Sequence, residues 1–276
     1  MNLVAQGPAM TEADAAELAR LAQAGKFEKA GEHAFRVRGV ERSSRIADWC
    51  DARRLDHAWM PDGRRLADLG LLAMDMDSTL ITMETVDELG DCAGRKAEIA
   101  AITARAMRGE IDYPESLRRR VRLLQGLEAS ALQRVYDQRL FLTPGAEALV
   151  AACKRHGVKL LLVSGGFSFF TERLKARLGL DYTISNTLEV KDGRLTGELI
   201  GALVDAEAKA QKFLDVMKQL EIESERTAAI GDGANDLKMM ARAGTSVAFH
   251  AKPVVRAQAS CALNWCGLDG VVNLFE

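Results

Sequence analysis

Three short apolar runs organise the chain, and each ends in a polar or glycine motif. "LGLLAM" runs into Asp75, "VKLLLV" into Ser164-Gly165-Gly166, and "RTAAIG" into Asp232-Gly233. Continuous apolar runs of this length predict strands buried on both faces. "TSVAF" gives a fourth, and "YTISNTLEVKDGRLTGEL" reads as a strand and hairpin turning at Asp192-Gly193. Helical periodicity fills the intervals, in "TPGAEALVAACKRHG", "FTERLKARLG", "DAEAKAQKFLDVMKQL" and "LKMMARAG". Strands alternating with helices predict an α/β fold, a Rossmann-like parallel sheet flanked by helices on both faces.

Two stretches fall outside this alternation. From about 83 to 142 the pattern is helical throughout. "METVDELGDCAGRKAEIAAITARAMRGE" reads as one long helix from Glu84 to Arg108, "YPESLRRRVRLLQG" as a second with Pro114 in its first turn, and "ASALQRVYDQRL" as a third. The block is thus a helical insert placed just after the first strand motif. Residues 1–70 form a small α/β extension: a helix opened by Thr11 in "TEADAAELARLAQAG", a strand in "HAFRVRGV" and a helix in "RSSRIADWCDARRL". It carries no chemical motif, so a structural brace ranks ahead of a docking, dimerisation or regulatory module. The predicted division is 1–70 and 71–276, the second interrupted by residues 83–142.

Composition narrows the function classes. The 276 residues carry a formal net charge of −2, from 37 Lys+Arg against 39 Asp+Glu. That balance gives no broad basic surface for nucleic acid or an anionic membrane. No apolar stretch approaches the roughly 18 residues of a membrane span, and the N-terminus lacks the basic and apolar segments of a secretory signal. Five scattered cysteines form no CxxC pair and suit a reduced, cytoplasmic setting.

In parallel sheets, ligands sit beyond the carboxyl ends of the strands, where "DMDST", "SGG" and "GDGAND" fall. In the first, Asp75 and Asp77 stand two residues apart, which on a strand puts both carboxylates on one side. Like charges so placed need a cation between them or a retained proton. "GDGAND" is a poor dinucleotide loop, because Asp236 stands where the third glycine of such a loop belongs and would repel a pyrophosphate. Asp75, Asp77, Asp232 and Asp236 instead suit a hard cation that keeps waters and meets phosphate, which is Mg²⁺. Ser164 adds a hydroxyl and Gly165-Gly166 add backbone N–H groups for a phosphate. A lysine should neutralise the remaining charge. Lys209 is the first candidate and Lys212, on the same helix, the rival. The inventory predicts phosphoryl transfer, in which positioning and charge stabilisation do most of the work.

"DMDSTL", "SGG", a lysine-bearing helix and "GDGANDLKMM" resemble, in order, the four motifs of the haloacid-dehalogenase-like phosphatases. "DMDSTLITMETVDELG", "RAMRGEIDYPESLRRRV" and "VSGGF" extend the likeness to the phosphoserine phosphatase branch over residues 71–276. The resemblance implies that Asp75 is the nucleophile, forming an aspartyl-phosphate, and that Asp77 is the acid and base. It implies Mg²⁺ on Asp75, the Asp77 backbone carbonyl and Asp232, with Asp236 outside that ligand set. It assigns the phosphate to Ser164, Gly165, Lys209 and Asn235, and makes residues 83–142 a cap. For O-phosphoserine, the substrate of the last step of serine biosynthesis, Glu84 would meet the ammonium. Met107 and Tyr113 match positions that wall the substrate; Tyr113 stands where the family often has Phe. Among four neighbouring arginines, Arg120 lies about 60° from Leu117 and about 40° from Leu124 around a helix, so it is the one placed to clamp the carboxylate. Two alternatives are a phosphotransferase passing the group to an alcohol such as homoserine, and a phospho-acceptor module without turnover. Asp77 and the insert argue against the latter. The expected partners are a small-molecule substrate, no nucleic acid and no membrane, with a homodimer formed through residues 1–70 as a further option.

Overall fold

The structure is a computed structural model and describes residues 1–276. The N-terminal segment runs β1 (Asn2–Gln6), α1 (Glu12–Leu21), β2 (Glu28–Gly31), β3 (Ala34–Val37), α2 (Ser44–Ala52) and β4 (Asp56–Met60). Its strands form an antiparallel sheet in the order β2-β3-β1-β4. Helix α1 starts where expected, because Thr11 accepts the Asp14 N–H while the Asp14 carboxylate takes the Thr11 N–H. Alternation along the strands splits the sheet between two cores. Leu3, Ala5, Phe35 and Val37 pack with Leu18 and Ile46 of the two helices, whereas Val4, Ala58 and Met60 join the main core of the molecule. Strands β1, β2 and β4 carry no long apolar run, and only the strand at β3 is legible in the sequence.

The remainder runs β5 (Leu71–Met74), α3 (Thr85–Cys92), α4 (Lys96–Met107), α5 (Tyr113–Arg122), α6 (Ser130–Gln138), α7 (Ala146–Arg155), β6 (Lys159–Phe167), α8 (Ser168–Leu178), β7 (Tyr182–Lys191), β8 (Arg194–Ile200), α9 (Ala206–Gln219), β9 (Thr227–Gly231), α10 (Leu237–Met240), β10 (Thr245–Phe249), α11 (Pro253–Arg256), β11 (Cys261–Leu263) and α12 (Gly270–Leu274). Its sheet has the order β11-β10-β9-β5-β6-β7-β8. All neighbours are parallel except the β7–β8 hairpin at the edge, which turns through positive φ at Asp192 and Gly193. The fold is therefore α/β, a largely parallel sheet flanked by helices. The three motif-bearing strands, β9, β5 and β6, are adjacent and parallel, so their carboxyl ends open at one place.

One expected element is corrected. The helix read as continuous from Glu84 to Arg108 is two, α3 and α4, broken at Ala93–Arg95. Gly94 adopts φ 68°, and the Arg95 N–H closes back on the Gly90 carbonyl at 2.7 Å. A left-handed glycine just past the last turn is the usual helix stop, and it lets α4 fold back on α3. Helix α10 starts at Leu237 as expected but ends at Met240, because the Arg242 and Ala243 N–H groups tighten onto the Met239 and Met240 carbonyls and the Gly244 N–H turns away to the Ser224 carbonyl.

Candidate active site

Strand β5 is buried along its whole length, and Asp75 prolongs its extended backbone, its N–H still on the Ile230 carbonyl at 3.1 Å. Ser78 takes φ 56°, which throws the chain into an irregular turn over Met76–Leu80. The turn closes with the Leu80 N–H on the Asp75 carbonyl and the Ile81 N–H on the Met76 carbonyl. It separates the two carboxylates that a straight strand would have stacked.

Asp75 is 5% exposed and Lys209 only 1%. The Lys209 ammonium, delivered by the second turn of α9, donates to Asp75 Oδ1 and to Asp236 Oδ1, each at 2.8 Å. Burial opposes its charge, but Asp236 and Asp75 outweigh burial and hold it above the ordinary lysine value. Lys212 makes no such contact and is half-buried. Asp236 is engaged through both oxygens, since its Oδ2 accepts the Gly233 N–H at 3.1 Å. Asp75, Asp232 and Asp236 each place a carboxylate oxygen within 4.8 Å of the others. Three acids thus face one ammonium. Burial, then Asp236, pushes the Asp75 carboxyl well above the usual carboxylate range. Burial, then Asp236 and Glu84, pushes Asp232 up to about 6. An all-oxygen donor set with excess negative charge fits a hard dication such as Mg²⁺.

Asp77 points differently. Its two oxygens accept from the Thr85 N–H at 3.0 Å and the Thr85 hydroxyl at 3.2 Å, so it caps α3 from outside that helix. Burial, followed by repulsion from Glu84, raises its carboxyl well above the usual range. Ser164 is wholly buried at the end of β6 and its Oγ accepts the Gly166 N–H at 2.8 Å. A Cβ on Gly166 would lie 2.6 Å from Asp77 Oδ2 and 3.0 Å from Ser164 Oγ. Only glycine therefore lets the acid and the hydroxyl meet over the backbone. Asn235 lies half-buried in the 3₁₀ turn before α10, its Oδ1 against Gly233.

The helices of 83–142 cover this cluster. Glu84 accepts the Ser78 hydroxyl at 2.7 Å, and the protein around it raises its carboxyl although one edge stays open to solvent. Tyr113, the first residue of α5, donates its hydroxyl to the Gly165 carbonyl at 3.2 Å. Arg120 hydrogen-bonds only the Ser116 carbonyl, at 3.4 Å, and its charge acts on Glu84, Asp87 and Tyr113. Its neighbours are engaged elsewhere or point out: Arg119 pairs with Glu115 at 2.6 Å, Arg122 with Glu198 at 3.7 Å, and Arg118 is exposed. Met107, at the end of α4, is 64% exposed. Sequence reasoning missed Thr85, which holds Asp77, and Asn186, a buried residue whose Nδ2 donates to the Gly165 carbonyl at 2.8 Å. Asn186 Oδ1 accepts the Val204 N–H at 2.9 Å, which ties the β6 turn to the loop leading into α9. A lone Asn inside "YTISNTL" is the only trace of it in the sequence.

Comparison with known proteins agrees with this geometry. A family profile described as haloacid dehalogenase-like hydrolase matches residues 72–241, and one of a domain of unknown function matches residues 3–47. A Polaromonas protein named phosphoserine phosphatase is 56% identical over 77% of this chain and 92% of its own length. The unliganded crystal structure of a probable phosphoserine phosphatase from Vibrio cholerae superposes with TM-score 0.87 at 39% identity, covering 99% of this chain and 86% of that one. A family hydrolase from Salmonella enterica gives TM-score 0.90 at 32% identity over 100% and 98% of the two chains. The chain belongs to the haloacid dehalogenase-like hydrolase family.

Proposed function

We propose that this chain is a phosphoserine phosphatase, a Mg²⁺-dependent phosphomonoester hydrolase that works through an aspartyl-phosphate. The observation that carries the reading is the buried Lys209 ammonium held between Asp75 and Asp236, whose carboxylates also lie close to that of Asp232. The 56% identical relative bears that name, which supplies the substrate.

Asp75, Asp232 and the Asp77 backbone carbonyl would hold the cation, which when bound supplies positive charge to the phosphoryl oxygens. The residues do the rest. Lys209, Ser164, Asn235 and the Gly165 N–H grip and orient the phosphoryl group, while the Gly166 N–H stays on Ser164 Oγ. An Asp75 oxygen attacks phosphorus as the bond to the seryl oxygen breaks, and Asp77 gives its proton to that leaving oxygen. The raised carboxyl of Asp77 suits a group that must arrive protonated. Asp77, now a carboxylate, takes a proton from water, whose oxygen attacks phosphorus and releases phosphate, restoring Asp75. Residues 83–142 act as the cap that excludes bulk water during these steps. Glu84 faces the substrate ammonium, Arg120 its carboxylate, and Tyr113 walls the seryl group, whereas Met107 is left largely open to solvent.

No helix is long and apolar enough to cross a membrane, and all five cysteines are free, which supports a cytoplasmic setting. A homodimer through residues 1–70 would use the open edge of β2 or the outer faces of α1 and α2, since the sheet's faces are covered within the chain. The deciding experiment is phosphate release from a panel of small phosphomonoesters, with and without alcohol acceptors, by the wild type and Asp75→Asn. Phosphoserine should lead the panel, water should be the acceptor, and the variant should neither turn over nor trap a phosphoenzyme. Preferred transfer to an added alcohol would assign a phosphotransferase instead.

A further inference from the structure

The Gly165–Gly166 peptide is approached from three sides. Its carbonyl accepts from Asn186 Nδ2 at 2.8 Å, within the core, and from the Tyr113 hydroxyl at 3.2 Å, from the first turn of α5. Its N–H donates to Ser164 Oγ at 2.8 Å. A trans peptide is a rigid plane, and the chain has no cis bonds, so fixing the carbonyl fixes the N–H on the opposite side. Ser164 Oγ, by accepting that N–H, is left with its own proton to give to another oxygen. A Cβ on Gly165 would collide with the Tyr113 hydroxyl, so the glycine makes room for this contact. The hydroxyl stays a donor across the physiological range, because burial pushes its pKa up to about 12. A Phe at position 113 would keep the wall and lose the bond.

We propose that Tyr113 is a positioning residue as well as a wall: its hydroxyl latches the cap to the Gly165 carbonyl and, through that peptide, sets the Ser164 hydroxyl for the phosphoryl group. The proposal rests on the phosphatase reading of the site. It joins two roles that a phosphate-binding turn and a cap otherwise play independently. With the latch made, closing the cap and shaping the phosphate site are one event.

The test is Tyr113→Phe in the full-length enzyme with Mg²⁺. Inhibition by inorganic phosphate is measured against p-nitrophenyl phosphate turnover, and amide hydrogen exchange over residues 113–122 is followed without substrate. Loss of one hydrogen bond should raise the phosphate Ki about 2- to 10-fold. KM for both p-nitrophenyl phosphate and phosphoserine should rise by the same factor, kcat should change less, and exchange in α5 should speed up. A residue that only walls the seryl group would shift KM for phosphoserine and leave phosphate inhibition untouched. An unchanged phosphate Ki therefore overturns the proposal, and so does unchanged exchange in α5. Wild-type protein that hydrolyses p-nitrophenyl phosphate but not phosphoserine would overturn the substrate assignment instead, while leaving this test intact.

Discussion

Arg120 stands among four consecutive or near-consecutive arginines, and its neighbours already have partners or face solvent. A guanidinium held near Glu84 and Asp87 without a direct ion pair is available for a carboxylate, and a bidentate charged pair is worth about 1.5–3 kcal/mol. Arg120→Ala should therefore lower kcat/KM for phosphoserine about 10- to 100-fold and change p-nitrophenyl phosphate little; equal losses on both would place the clamp elsewhere. Asp232 leads to a pH dependence. Its carboxyl is raised to about 6, so below that pH a cation must displace a proton to bind. Apparent Mg²⁺ affinity, followed by calorimetry, should hold above pH 6 and weaken as pH falls below it. A flat profile from pH 7 to 5 would exclude Asp232 from the ligand set. At this scale the sequence exposes what strand ends expose: Asp75, Asp77, Ser164 and Asp232 follow from where parallel sheets place ligands. It ranks Lys209 ahead of Lys212 by motif position and resemblance and not by geometry, because helical phase alone cannot say which face of α9 meets β5. Nor does it reveal Thr85 or Asn186, whose partners lie 8 and 21 residues away and meet them only after folding.

The elements show how local signals fare against long-range ones. The apolar runs at β5, β6, β9 and β10 are legible because strands buried on both faces cannot alternate. The strands at β1 and β4 are not, since polar residues cut each apolar run to three and each strand gains its burial from two different cores. The break between α3 and α4 is a local signal overridden by periodicity: "CAGRK" contains the stop, but apolar spacing on either side continues through it. Gly94 has open space around its missing Cβ, so only its φ of 68° opposes a side chain. Gly94→Ala should then cost about 1 kcal/mol by backbone strain alone. Thermal unfolding of this variant should show the drop while activity at low temperature is kept. A stabilised protein would mean that α3 and α4 can merge, and that the cap does not need the turn.

For the whole molecule, the question is why residues 1–70 are attached at all. Strand β1 is buried on both faces, with Leu3 and Ala5 in the N-terminal core and Val4 in the main one. Polar groups seal the seam. Arg36 donates to the carbonyls of Asn273 and Phe275, and Gln6 donates to that of Gly270. The firmest joint is Asp56, 2% exposed, whose carboxylate accepts the backbone N–H groups of Asn264, Trp265 and Cys266 at 2.6, 3.0 and 2.9 Å. These amides follow β11, the edge strand next to β10, so the extension closes the end of the sheet farthest from the β7–β8 hairpin. A brace of this kind must unfold with the body it braces. Calorimetry should therefore give one transition, not two. Asp56→Ala leaves three backbone donors without their acceptor, each worth about 1–3 kcal/mol when buried and unpaired, less where water enters. At roughly 2–4 °C per kcal/mol for a chain of this size, the melting point should fall by at least several degrees. Because the site lies at β5, β6 and β9, well inside the sheet, KM for phosphoserine in the folded variant should stay close to wild type. A separate early transition in the wild-type protein, or an Asp56→Ala variant that melts unchanged, would mean that the extension folds as an independent module and owes its place to something other than bracing.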